Sequence, residues 1–208
     1  MLSSKRVVLP LVGSCFLPGE AKETIEEIED QELAQIAWAE YYFFSAKAKE
    51  CVEIVEKYLN HEDVILRLSA DMLYTFSNLT LGDAFAAQYA REDVYRCFEK
   101  IMKENTPIEE KASCVFAYYV ISIFIHIPPQ EEIPPLEQYI SYLPIGQRLL
   151  AISLLAHQTY LKQEYAKAKG IVQGAFFMAD GIYPIAMTYL NCVQAMCQIN
   201  LKEQEEAI

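Results

Sequence analysis

Apolar residues recur along this chain at spacings of three and four, the period of a helix with one buried face, and the period-two alternation of a strand is absent. Read between its breaks, the pattern predicts helices over 23–44, 47–59, 61–79, 84–104, 108–126, 136–142, 144–161, 164–179 and 183–200, with a further helix beginning near 202. No proline falls between Gly19 and Thr106, a tract rich in Ala, Glu, Lys and Leu that favours helix. Thr106-Pro107-Ile108-Glu109 predicts a helix start, with Thr106 as N-cap, Pro107 in the first turn and Glu109 closing a capping box. The stretch PPQEEIPP, 128–135, predicts a stiff extended connector. The longest apolar run, Cys114 to Ile127, is 14 residues and includes Ser122 and His126. A bilayer needs about 20, so it predicts a buried helix.

Small residues fall at regular places in this pattern. Ala156 and Ala168 are 12 apart, Ala195 and Ala207 repeat that pair 39 residues later, and Ala39 and Cys51 are again 12 apart. Helices cross closely only where no large side chain intervenes, and short links between them make neighbours antiparallel. The series Ile152, Leu155-Ala156, Tyr160, Ala168, Val172 and Ala175 resembles the signature of a tetratricopeptide repeat, with Leu155-Ala156 in the Leu-Gly place and Ile152 replacing the usual Trp. The resemblance implies an all-α fold of tetratricopeptide-like antiparallel helical hairpins forming a right-handed α-solenoid. The period is 39 rather than 34, and 60–145 carries no clean copy, so the middle of the solenoid is expected to be irregular. Residues 1–19 are expected as an irregular lead-in and 20–208 as the repeat domain. LKEQEEAI reads as the opening of another helix, and Ala207 corresponds to Ala168, so the array is expected to be truncated at its C-terminus.

Charge removes one class of function. Asp plus Glu outnumber Lys plus Arg by 29 to 17, a net charge of −12, which repels phosphates rather than neutralising them. The acidic run Glu23 to Asp30 reads as a solvated helix face, with Ile25 and Ile28 turned inward. The six cysteines, at 15, 51, 97, 114, 192 and 197, have no CxxC spacing and read as reduced thiols of a cytoplasmic protein. Val12-Gly13-Ser14-Cys15 resembles a bacterial lipoprotein cleavage box, but the apolar stretch before it, Val7 to Val12, is six residues and Pro10 interrupts it, against roughly 7–15 for an export signal.

Catalytic patterns are lacking. His61, His126 and His157 are far apart with no ligand partner one turn away, there is no Gly-rich phosphate loop, and Gly13-Ser14-Cys15 lacks the second glycine of a nucleophile elbow. The expectation is a protein that is not an enzyme and uses no metal or cofactor. The aromatic surplus, 14 Tyr and 10 Phe, includes Tyr41-Tyr42-Phe43-Phe44 and is expected mostly in the core. Helical arrays bind along a concave face made by the first helix of each hairpin. In the best-matched repeats that face would present Leu150, Ser153, His157 and Tyr160, then Tyr189, Cys192 and Met196, although each stripe also fits ordinary packing.

The stretches AWAEYYFFSAKAKECVEIVEKYL (37–59), LRLSADMLYTFSNLTLGDAF (66–85) and GQRLLAISLLAHQTYLKQEYAKAKGIVQGA (146–175) are similar in texture to the helical-repeat sensor region of LuxR-type bacterial transcriptional regulators. The resemblance implies a cytoplasmic regulator whose array takes a small-molecule signal or a protein or peptide partner. DNA would be read only by a helix-turn-helix domain after residue 208. A stand-alone tetratricopeptide-like adaptor, exported if Cys15 is lipidated, is the alternative. Neither reading places the chain across a membrane, and apolar positions Ile199, Leu201 and Ile208 would favour a homodimer.

Overall fold

The structure is a computed structural model that describes residues 18–103, 105–125, 133–178 and 184–201, with Pro18 and Pro184 described by their backbone alone. Every regular element among these residues is helical. In order they are α1 (Pro18–Glu26), α2 (Gln31–Phe44), α3 (Ala48–Val55), α4 (Val64–Leu81), α5 (Ala84–Lys103), α6 (Ile108–Phe124), α7 (Ile145–Leu161), α8 (Tyr165–Met178) and α9 (Pro184–Asn200). Short 3₁₀ turns follow α3 at Glu56–Tyr58 and follow α6 at Leu136–Gln138 and Ile140–Tyr142. None of these helices is long and apolar enough to cross a membrane.

Several boundaries differ from the pattern, each for a local reason. The helix expected over 23–44 is two, because Asp30 caps α2: its Oδ1 accepts from the backbone N–H of Glu32 and of Leu33, both at 3.1 Å. An Asp side chain stabilises a helix start better than a helix interior. Asp63 does the same for α4, accepting from Ile65 at 2.9 Å and Leu66 at 3.1 Å, which moves that start past His61. Thr106 does not cap α6; Pro107, with ψ 144, stands as the residue before the helix and no side chain bonds there. The helix expected over 136–142 is two 3₁₀ turns, in a stretch of eight residues bounded by Pro135 and Pro144. His126, most of the proline connector and the helix expected from 202 lie outside the described residues.

Three links share one geometry. Helices α2 and α3, α4 and α5, and α7 and α8 pack in pairs, each pair joined by two or three residues. In each link one residue is left-handed: Ala46 at φ 59, Gly82 at φ 86 and Gln163 at φ 64. The residue after it donates its N–H five residues back: Lys47 to Tyr42, Asp83 to Asn78 and Glu164 to Thr159, at 2.9, 2.8 and 3.2 Å. The left-handed residue donates three back, to Phe43, Leu79 and Tyr160. This is a Schellman closure, which satisfies the last carbonyls of the first helix while turning the chain. Seven residues before each turn stand Ala39, Thr75 and Ala156, and five residues after stand Cys51, Ala87 and Ala168; all six are fully buried. Gln163 follows Ala46 by 117 residues, three times the 39-residue offset, whereas Gly82 follows Ala46 by only 36. The same turn therefore occurs in the middle of the chain as well, with Thr75 in the small place and a shorter spacing.

The chain divides into two compact units between Leu143 and Pro144. In the first, α4 lies against α2, α3, α5 and α6, and buries Leu66, Leu68 and Leu73. Helix α6 runs through the core as expected, with Cys114 to Tyr118 all fully buried. In the second, α7, α8 and α9 pack mutually around Leu149, Ala156, Ala168, Val172, Leu190 and Val193. Full burial of each large aliphatic side chain contributes about 1.5–3 kcal/mol.

Two glycines separate conformation from packing. A Cβ at Gly82 or at Gly170 would meet nothing within 4 Å. Gly82 is left-handed and Gly170 is inside α8, so Gly82→Ala should cost about 1 kcal/mol and Gly170→Ala should stabilise by about 0.5–1 kcal/mol. Urea denaturation midpoints check both signs; equal shifts in the same direction would remove the left-handed turn from the account.

Candidate functional site

The stripe expected on α7 and α9 is divided by the structure between packing and exposure. Ser153 is buried, and its hydroxyl donates to the carbonyl of Leu150 at 2.7 Å. Leu150, Tyr160 and Met196 are partly buried against the core of the second unit. Asn200 brings the last two together, its Nδ2 donating to the Tyr160 hydroxyl and to the Met196 carbonyl, both at 2.9 Å. His157 is half-buried, with its ring 6.4 Å from that of Tyr160. Tyr189 and Cys192, one turn apart on α9, are exposed. Four of the seven side chains thus help hold helices together, and Tyr189, Cys192 and one side of His157 are left to meet solvent.

A second group of polar side chains, which periodicity does not single out, lies in the first unit. Arg67 of α4 grips Asp93 of α5 with two hydrogen bonds, Nε to Oδ2 at 2.6 Å and Nη2 to Oδ1. Asp93 is buried and so is Asp71, one turn along α4 from Arg67. The Oδ2 of Asp71 meets no donor. Burial pushes the Asp71 carboxyl well above its ordinary value, and the negative charge of Asp93 adds to this. Contact with the Asp93 side chain favours the protonated form of Asp71 in the same direction. Two buried carboxyl groups thus lie near one another, and Arg67 is bonded to that of Asp93. Cys97 and Cys114 lie in the same interior, and burial pushes the Cys97 thiol up to about 12 and the Cys114 thiol further from ionisation. Among the described residues no group of three or more His, Cys, Asp and Glu side chains is placed to hold a metal ion.

On the outer side of α5 is a recess of about 190 Å³ lined by Arg91, Glu92, Tyr95 and Arg96, with Tyr118 of α6 behind them. Helical geometry gathers the four α5 residues on one face, at positions i, i+1, i+4 and i+5. Arg91 is buried and fixed: its guanidinium carbon lies 5.1 Å from the centre of the Tyr118 ring, and its Nε donates to the Ser122 hydroxyl at 3.1 Å. Tyr95 is half-buried with its ring 6.1 Å from that of Tyr118. Arg96 and Glu92 are exposed at the rim. Two signals pointed here in the sequence. Arg67 and Asp71 interrupt an apolar stretch at helical spacing, and Arg91, Tyr95 and Arg96 put two cations and a ring on one face in a chain with few cations.

The Asp71 carboxyl makes stability depend on pH. Its folded value lies above the ordinary 3.8, so the native state holds a proton that the unfolded chain releases. That contribution is complete below the unfolded value and is lost as pH rises through the folded one. Urea unfolding from about pH 4 to about pH 9 should show the wild type weakening as pH rises, and Asp71→Asn, which keeps a neutral donor, should flatten the slope. An unchanged slope in the variant would place the pH dependence elsewhere. The thiols give an independent check: iodoacetamide should modify exposed Cys192 far faster than Cys51, whose thiol burial pushes up to about 11, or Cys97.

Comparison of this chain with protein-family models, with curated proteins and with solved structures finds no match in any of the three.

Proposed function

We propose that this chain is the regulatory helical-repeat region of a LuxR-type transcriptional regulator, which takes a signal ligand or a protein partner in the cytoplasm and controls a DNA-binding domain encoded beyond residue 208. The observation that carries the reading is the threefold recurrence of one turn with a fully buried small residue seven positions before it and another five after it. Such recurrence is what stacking of tetratricopeptide-like hairpins into a solenoid requires, because each hairpin must accept the next at a close crossing. The acid balance of 29 to 17 supports the division of labour, since promoter binding would fall to a separate basic domain.

The reading makes no use of chemistry by this chain itself. Arg67 and Asp93 hold two helices together, and Arg91, Glu92 and Arg96 line a small recess beside α5. One observation favours a protein partner over a small molecule, which is the adaptor reading: Phe85 on α5 is 88% exposed and Phe177 on α8 is 92% exposed. Bare aromatic rings of this size are enriched where proteins meet.

Reading the gene onward from codon 208 tests the proposal. A frame that continues into a basic helix-turn-helix supports it, and a stop codon there replaces it with a stand-alone adaptor. Fluorescence anisotropy with a labelled promoter duplex is the protein-level check. The 208-residue chain should show no binding, and tight binding that weakens steeply with salt would defeat the proposal.

A further inference from the structure

We propose that the surface around the turn from α4 to α5 docks a basic segment of a partner protein, in which an arginine or lysine stands beside an aliphatic residue. Exposure marks the place. Leu81, Phe85 and Tyr89 are 44, 88 and 50% exposed, three large apolar side chains bared within nine residues. Single exposed apolar residues need no explanation, but a group of them does.

Local structure gathers the group. Phe85 and Tyr89 are four apart on α5 and so share a face. The Schellman closure at Gly82 turns α5 back along α4 and leaves Leu81 at the corner. Asp83 is fixed in that corner: its N–H donates to the Asn78 carbonyl at 2.8 Å, and its Oδ1 accepts from the N–H of Ala86 at 3.0 Å. Tyr74 of α4 is half-buried close to Tyr89. Glu56, exposed in the 3₁₀ turn after α3, comes near Tyr74 because that turn packs on α4.

Charge then selects the partner. Burial raises the Tyr74 hydroxyl above its ordinary value, and the negative charges of Glu56 and Asp83 push it the same way, so both carboxylates act at this aromatic surface. Rings and carboxylates together suit a cation, which the π-faces attract and the carboxylates neutralise. An aliphatic neighbour of that cation would cover Phe85 and Leu81. A second copy of this chain is disfavoured, since a twofold contact would set the same acidic surface against itself. The net charge of −12 also draws a basic partner from a distance.

The inference rests on the protein-partner side of the proposed function, and its test involves neither DNA nor the rest of the gene. A phage-displayed library of random dodecapeptides is selected on the purified 208-residue chain, and the enriched peptides are synthesised and titrated by fluorescence anisotropy. They should carry Arg or Lys next to Leu, Ile or Met. Phe85→Ser should weaken their binding about tenfold, and Glu56→Gln about threefold. Binding should also weaken as NaCl rises from about 0.05 to about 0.5 M. Both side chains are exposed, so circular-dichroism melts of the two variants should match the wild type. Absence of enrichment, enrichment of acidic or uncharged peptides, or binding indifferent to both substitutions would each overturn the proposal. So would self-association in the ultracentrifuge that Phe85→Ser abolishes, which would assign the surface to a second copy. Basic peptides that bind here, together with a stop codon after residue 208, would leave the surface standing and remove the regulator. A helix-turn-helix downstream with no such peptides would do the reverse.

Discussion

The first unit depends on burying one helix, α4, on nearly every side, although that helix is rich in polar groups. Ser69, Asp71, Thr75, Ser77 and Asn78 are all buried on it, among Leu66, Leu68, Met72 and Leu73. A buried polar group without a partner costs more than an apolar one gains, so each demands an answer. Three of the short side chains answer locally, by bonding to the preceding turn: Ser69 to the carbonyl of Ile65, Thr75 to that of Asp71 and Asn78 to that of Tyr74, at 2.8, 2.7 and 2.9 Å. Arg67 reaches across to Asp93, which ties α5 to α4. Asp71, beside that pair, has its carboxyl pushed by burial toward the neutral form.

The same helix, α5, borders a recess on another side. Asp93 turns inward to Arg67, while Arg91 stacks on Tyr118 of α6 and Glu92, Tyr95 and Arg96 border the outer recess. One helix thus carries a buried ionic lock on one side and the cationic recess on another. Because Arg67 and Asp93 fix the rotation of α5 about its axis, they also fix which residues can line that recess. Cys97 and Cys114 share the locked interior, and their burial keeps them as packing thiols rather than nucleophiles.

The repeated turn works on a different scale. A left-handed residue reverses the chain in two or three residues, and the small side chains on either side permit the two helices to approach. Only Gly82 adopts this backbone without strain; Ala46 and Gln163 adopt it because the Schellman hydrogen bonds and the packed helices hold them there. In the second unit the turn at Gln163 pairs α7 with α8, α9 packs on both, and Asn200 ties its end to Tyr160. The polar stripe expected there was therefore partly the means by which α9 is attached.

Periodicity alone determined that this chain is helical, where most helices begin and end, and that α6 is a buried helix, since spacing of three and four and the placing of proline act within a few residues. It also exposed the pairs Ala39 and Cys51, Ala156 and Ala168, because a close crossing admits only small side chains wherever it occurs. It did not show the break at Asp30, where a local cap competes with an unbroken helical pattern, nor the third turn around Gly82, where Thr75 stands in for Ala and the spacing shortens to 36. Nor could it pair Arg67 with Asp93, which lie 26 residues apart, or bring Tyr118 of α6 behind Arg91 of α5. Those relations depend on how far each helix is rotated against its neighbour, and only the packed core, acting between residues distant in the chain, decides that rotation.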